Sequence, residues 1–192
     1  KALVVMADVG IAAEARRAAN EALDAFGTID VFVANAAIRP DKPFLETTEE
    51  DWRRVMGTNL ESAIYLSQAF IPGMIAQGWG RIVVMTGRNA MRGFPGHVTT
   101  SVAKHGLWGL TKTLAREFGP HGITINAISP GVIDTTGGNT ARLARLNDAA
   151  KEIPVRRIGT SEEIAAMCGL LCSDDGGFTN GQMIGVNGGI DT

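Results

Sequence analysis

Five short, nearly unbroken apolar runs limit how this chain can fold. They are ALVVMAD (residues 2–8), IDVFVAN (29–35), RIVVMT (81–86), ITINAIS (123–129) and QMIGVN (182–187). A strand that is apolar throughout has both faces covered, as in a parallel sheet with helices above and below it. The segments between the runs carry helical spacing. EARRAANEALDAF (14–26) puts Ala15, Ala18, Ala19, Ala22 and Phe26 on one side, and Gly27 ends it. Residues 47–78 hold one or two helices behind a capping-box-like Thr47/Thr48. SVAKHGLWGLTKTLAREFG (101–119) closes on Gly119 and Pro120, and 160–173 opens on Thr160 or Ser161. Alternating strand and helix predicts an α/β, doubly wound parallel sheet in a single domain spanning 1–192. The polar stretch 136–152 reads as a lid between strand and helix.

Several function classes drop out. The net charge is −2 without a basic block, so no nucleic-acid partner is expected. No apolar run approaches the ~18 residues of a membrane span. Cys168 and Cys172 lie one helical turn apart in AAMCGLLC, an awkward geometry for a disulfide and too few ligands for a metal. They read as a buried helix face with reduced thiols, in keeping with a cytoplasmic protein.

In a doubly wound sheet, ligands gather at the carboxyl ends of the strands. The residues there are Asp8, Asn35-Ala36-Ala37, Thr86-Gly87-Arg88 and Ser129-Pro130-Gly131. Small side chains dominate, which lets a ligand approach the backbone. Lys104 stands one helical turn after Thr100 on the following helix.

In order and spacing, these segments resemble the short-chain dehydrogenase/reductase family, and within it the 3-oxoacyl-acyl-carrier-protein reductase-like members. The resemblance runs through ANAA (34–37), TNLESAIYLSQAF (58–70), GRIVVM (80–85), residues 101–135, RIGTSEEIA (157–165) and NGG (187–189). It implies a Rossmann-like fold and hydride transfer between NAD or NADP and a carbonyl or alcohol compound. It also implies a homodimer or homotetramer, with Phe70, Trp108 and Leu110 available to the interface. By position, Lys104 is the family's lysine and Asn59 the asparagine that anchors it. Asp8, Asn35, Ala36, Ala37, Lys104, Pro130, Gly131, Ile133 and Thr135 fall where the family holds cofactor, with Asp8 at the adenine.

Two departures accompany the resemblance. Thr100 stands at the position of the proton-transferring Tyr, and Gly87 at that of the Ser that binds the substrate oxygen. Tyr65, the one tyrosine, sits mid-helix. A threonine hydroxyl does not exchange protons readily near neutral pH. His97 is the nearest group of suitable pKa, and Thr86, Arg88 and Asn89 could polarise a carbonyl. The site is therefore read as an oxidoreductase with altered proton-transfer residues. The alternative is an inactive, cofactor-binding homologue acting as a sensor or structural subunit. The second departure is the absence of a Gly-x-x-x-Gly-x-Gly turn before Asp8, so the sheet is expected to lack the family's first two strands and the chain to be a piece of a longer protein. Residues 2–8 would then be a third strand stranded roughly 14 Å from 29–35, three strand spacings away, without ladder partners.

Overall fold

The structure, a computed structural model, describes residues 1–135, 146 and 148–191. Four strands form one sheet in the order β1-β2-β3-β4, all parallel: β1 is Val31–Ala34, β2 Gly80–Met85, β3 Ile123–Pro130 and β4 Met183–Val186. The register pairs Val33 with Val83, Val83 with Asn126, and Ala127 with Met183.

Successive strand residues face opposite sides of the sheet. Ile82, Val84, Ile123, Ile125 and Ala127 enter one core with Ala19, Phe70, Met74 and Leu107. Those residues come from α1 (Ala12–Phe26), α3 (Ser62–Gln77) and α4 (Val98–Phe118). Val83 and Ile128 enter the second core with Leu171 of α5 (Ser161–Cys172). The central strands are largely apolar because both of their faces are roofed by helices. Each fully buried Ile or Leu contributes about 1.5–3 kcal/mol.

Thr48 starts α2 (Glu49–Met56) with a reciprocal capping box to Asp51, and Thr160 does the same for α5 with Glu163. Each box satisfies two backbone N–H groups that a helix start otherwise leaves open. The segment from Glu49 to Gln77 is continuous, because a π-helical turn, Gly57–Glu61, joins α2 to α3. Helix α4 starts at Val98, three residues before the expected start, which brings Thr99 and Thr100 into the helix.

Residues 2–8 correct one expectation. They form no strand and are not buried: Val4 and Met6 are more than four-fifths exposed. Apolarity alone does not make a strand when no neighbour is there to take its N–H and C=O groups. The segment lies instead against α1, where Arg17 donates to the Met6 carbonyl and Lys1 to that of Ala25. As expected, it has no ladder partner among the described residues. Phe70 is a second correction. It is buried in the core, edge-on to Phe32 at 5.4 Å, and so is not available to an interface.

Candidate active site

Because all four strands run the same way, their carboxyl ends share one edge of the sheet. There the structure brings Asn35, Ala37, Asn59, Gly87, Thr100, Lys104, Pro130, Gly131 and Ile133 to the wall of one cavity of ≈ 510 Å³. An adjoining, more apolar cavity shares Asn35, Pro130 and Ile133 and adds Thr135 and Cys168. Ala36 is exposed beside these residues and lines neither cavity. Most of the expected lid lies outside the described residues, but Leu146 and Ala149 reach the first cavity.

Lys104 is buried, 6% exposed, and its ammonium donates to the Met85 carbonyl at 2.5 Å. No carboxylate pairs with it among the described residues. Loss of water alone pulls its pKa down from 10.5 to about 8. Thr100, one turn earlier, is buried too, and its hydroxyl has no hydrogen-bond partner among the described residues.

Asn59 sits in the π-helical turn with its side chain almost completely buried. Its Oδ1 accepts from the Ile38 N–H and its Nδ2 donates to the Ile38 carbonyl, both at 2.8 Å. One amide thereby fixes the loop that follows β1. Single π-helical turns inside α-helices are frequent at functional sites, because the extra residue redirects a side chain.

Gly87 has φ 104° and ψ 178°, a region essentially closed to residues other than glycine. A serine here would need the backbone to rotate. Gly87→Ser and Gly87→Ala are each expected to destabilise the fold by about 1–3 kcal/mol, read from urea unfolding. An unchanged midpoint would contradict this account of the glycine.

Of the remaining candidates, Thr86, Arg88 and Asn89 line the first cavity as well. Thr86 donates its hydroxyl proton to the Ile128 carbonyl at 2.9 Å, and Asn89 donates to the Ser101 hydroxyl at 3.1 Å. His97 is not among the cavity-lining residues, and its Nδ1 donates to the Pro40 carbonyl at 2.9 Å. Asp8 lies outside the cavity, where its side chain accepts from the Gly10 N–H ahead of α1. Tyr65 donates to Glu61 on its own helix. Cys172 lines the adjoining cavity, but its thiol is pushed up to about 11, chiefly by burial and next by Cys168. It is therefore a poor nucleophile near neutral pH.

Two residues that the sequence did not single out complete the wall and its support. Arg39 follows β1 and lines the cavity, whereas Asp191 holds Arg88 from 103 positions along the chain.

A nicotinamide end fits the groups on this wall. Gly159 bonds to the Val132 carbonyl and the Asp134 N–H, which leaves the N–H and C=O of Ile133 outside that bridge. Neither has a partner among the described residues, and Ile133 lines both cavities. A paired donor and acceptor beside a lysine with protons to spare suits a carboxamide and a ribose. Gly131 passes so close to Asn187 that a Cβ on it would lie 2.6 Å from the Asn187 Cα, so the wall there is bare backbone.

Comparison with known proteins supplies the family. The profile of the enoyl-(acyl carrier protein) reductase family matches residues 1–191. Acetoacetyl-CoA reductase of Cupriavidus necator is 40% identical over 164 residues, 85% of this chain and 67% of the relative. The 3-oxoacyl-[acyl-carrier-protein] reductase of Buchnera aphidicola is 38% identical over 165 residues, 86% of this chain and 67% of the relative. Among solved structures, a candidate short-chain alcohol dehydrogenase from Sinorhizobium meliloti superposes with TM-score 0.91 at 29% identity, covering 99% of this chain and 76% of its own. A candidate NAD(P)-dependent gluconate 5-dehydrogenase from Beutenbergia cavernae, solved with bound NADP, gives 0.90 at 33% identity, covering 99% and 77%. The chain belongs to the short-chain dehydrogenase/reductase family. It is an NAD(P)-dependent oxidoreductase by that membership.

Proposed function

We propose that this protein interconverts a small carbonyl compound and its alcohol, with Lys104 as the group that gives or takes the proton. One observation carries the reading. Lys104 is a buried cation on the cavity wall with a single partner among the described residues, a carbonyl that cannot take its charge. It keeps protons to donate, and its pKa of about 8 lies near working pH. A nicotinamide dinucleotide, when bound, supplies or receives the hydride. Ile133, Asn35 and Thr135 would orient its nicotinamide end, and Lys104 would meet its ribose. The unpaired Thr100 hydroxyl is a hydrogen-bond donor for the substrate oxygen, while Lys104 neutralises the charge that develops there. A homo-oligomer in the cytoplasm is part of the same proposal, supported by the family resemblance and the two free thiols.

Calorimetric titration of the whole protein with NADH and NADPH, followed by turnover of aldehydes and ketones, tests the reading. Turnover with the tighter cofactor is expected. Binding without turnover would instead favour the silent, cofactor-binding homologue.

The direction of pH dependence follows from Lys104. Carbonyl reduction uses the protonated form, which prevails below about pH 8. Reduction is expected to fall, and alcohol oxidation to rise, as pH increases through that value. Profiles between pH 6 and 10 that stay flat in both directions would remove Lys104 from the proton path.

A further inference from the structure

The charged residues of the cavity wall bear on the substrate itself, an inference that rests on the oxidoreductase reading above. Three charged side chains line the cavity among the described residues, Arg39, Arg88 and Lys104, and all are cationic. Lys104 faces the reacting carbon in that reading. Arg88, next to Gly87, needs another account.

Arg88 is held rigidly. Its Nε donates to both carboxylate oxygens of Asp191, at 2.9 and 3.2 Å. The Asp191 side chain is only 4% exposed and also meets Arg92. The Arg88 guanidinium lies 5.2 Å from the centre of the Phe94 ring, and Arg92 lies 5.1 Å from it. One edge and one face of the Arg88 fork are thus committed. Its two terminal nitrogens have no hydrogen-bond partner among the described residues.

A guanidinium that serves only to tie down Asp191 gains nothing from being part of a cavity wall. A fork fixed at Nε on a cavity-lining side chain, with its outer donors unpaired among the described residues, matches a planar carboxylate. Arg39 is exposed on the same wall and has no ion pair among the described residues, so it adds field of the same sign.

We propose that the substrate carries a carboxylate in addition to its reacting carbonyl or alcohol, and that Arg88, positioned by Asp191, grips it. Asp191 acts through Arg88 and touches no substrate. The amide of such an acid would lose the charge-assisted pair while keeping shape and size.

The test compares 4-oxopentanoate with its neutral analogue 4-oxopentanamide, by calorimetry on the whole protein with and without NADPH, and by turnover in parallel. The acid is expected to bind about 30-fold more tightly than the amide, as a hydrogen-bonded charge pair would give. Arg88→Met is expected to reduce that ratio to near one. Arg88→Lys, which keeps the charge but not the fork, and Asp191→Asn, which frees it, are expected to give intermediate ratios. Affinity ratios, unlike melting temperatures, do not move with a merely structural role. Equal affinities in the unaltered protein, no binding of either probe, or an acid preference that survives Arg88→Met would overturn the proposal. Acid-selective binding without turnover of either probe would support the carboxylate site and sink the oxidoreductase reading instead.

Discussion

Replacing Lys104 with Met is expected to lower kcat/KM for carbonyl reduction by roughly 10³-fold, within the range a positioned proton donor contributes. Met has nearly the length of Lys but no proton to give. The loss is expected without unfolding. The Lys104 pKa falls on folding because burial penalises the charged form, so the cation is a burden on the folded state. Between about pH 8 and 10.5 the unfolded chain holds this proton and the folded chain has released it. Stability from this group therefore rises with pH across that window, and below it the penalty is complete. Lys104→Met removes the penalty together with the bond to the Met85 carbonyl, two opposing effects, so its melting temperature at pH 7 should stay close to that of the unaltered protein. Activity within tenfold of the original would show that the proton comes from elsewhere, and His97→Ala would then be the next variant to assay.

Asn59→Leu should have the largest effect on stability among the site residues. Leu fills similar space but makes neither bond to Ile38, leaving a half-buried N–H and C=O without those partners. Each such loss costs about 1–3 kcal/mol, so a total of roughly 2–5 kcal/mol is expected in urea unfolding. The loop carrying Asn35 and Ala37 is expected to loosen with it, weakening nicotinamide binding about tenfold. A loss below 1 kcal/mol would mean that water replaces the amide and that the loop is held by other contacts.

The sheet and its helices were legible because apolar periodicity and capping residues are local. Thr160 and Glu163, for example, announce α5 within four residues. The strand expected over 2–8 shows the limit of that logic, since a run of apolar residues does not record whether a neighbouring strand exists. Lys104, Asn59 and Gly131 were singled out through the family resemblance, and the structure sets all three on one cavity wall. The reason for Gly87 could not be read in this way, because glycine in a turn is common and only φ shows which backbone region it occupies. The Arg88–Asp191 pair spans 103 positions and leaves no local pattern. His97 could be judged by its residue type but not by its bond to Pro40, 57 positions away. The π-helical turn at Asn59 was likewise hidden, because the sequence on either side reads as uninterrupted helix.

Burial across the sheet has a consequence in time as well as space. β2 and β3 are buried along almost their whole length, while β1 and β4 are half open. Local opening begins where few apolar contacts hold a strand, so the buried β2 and β3 are the last part of this sheet to open. The cavity inherits that property where Gly87 and Pro130 extend from the slow centre. The reacting groups thus sit against a stiff wall, and Asn59 is the tether that ties the loop of Asn35 and Ala37 to the helix beside it.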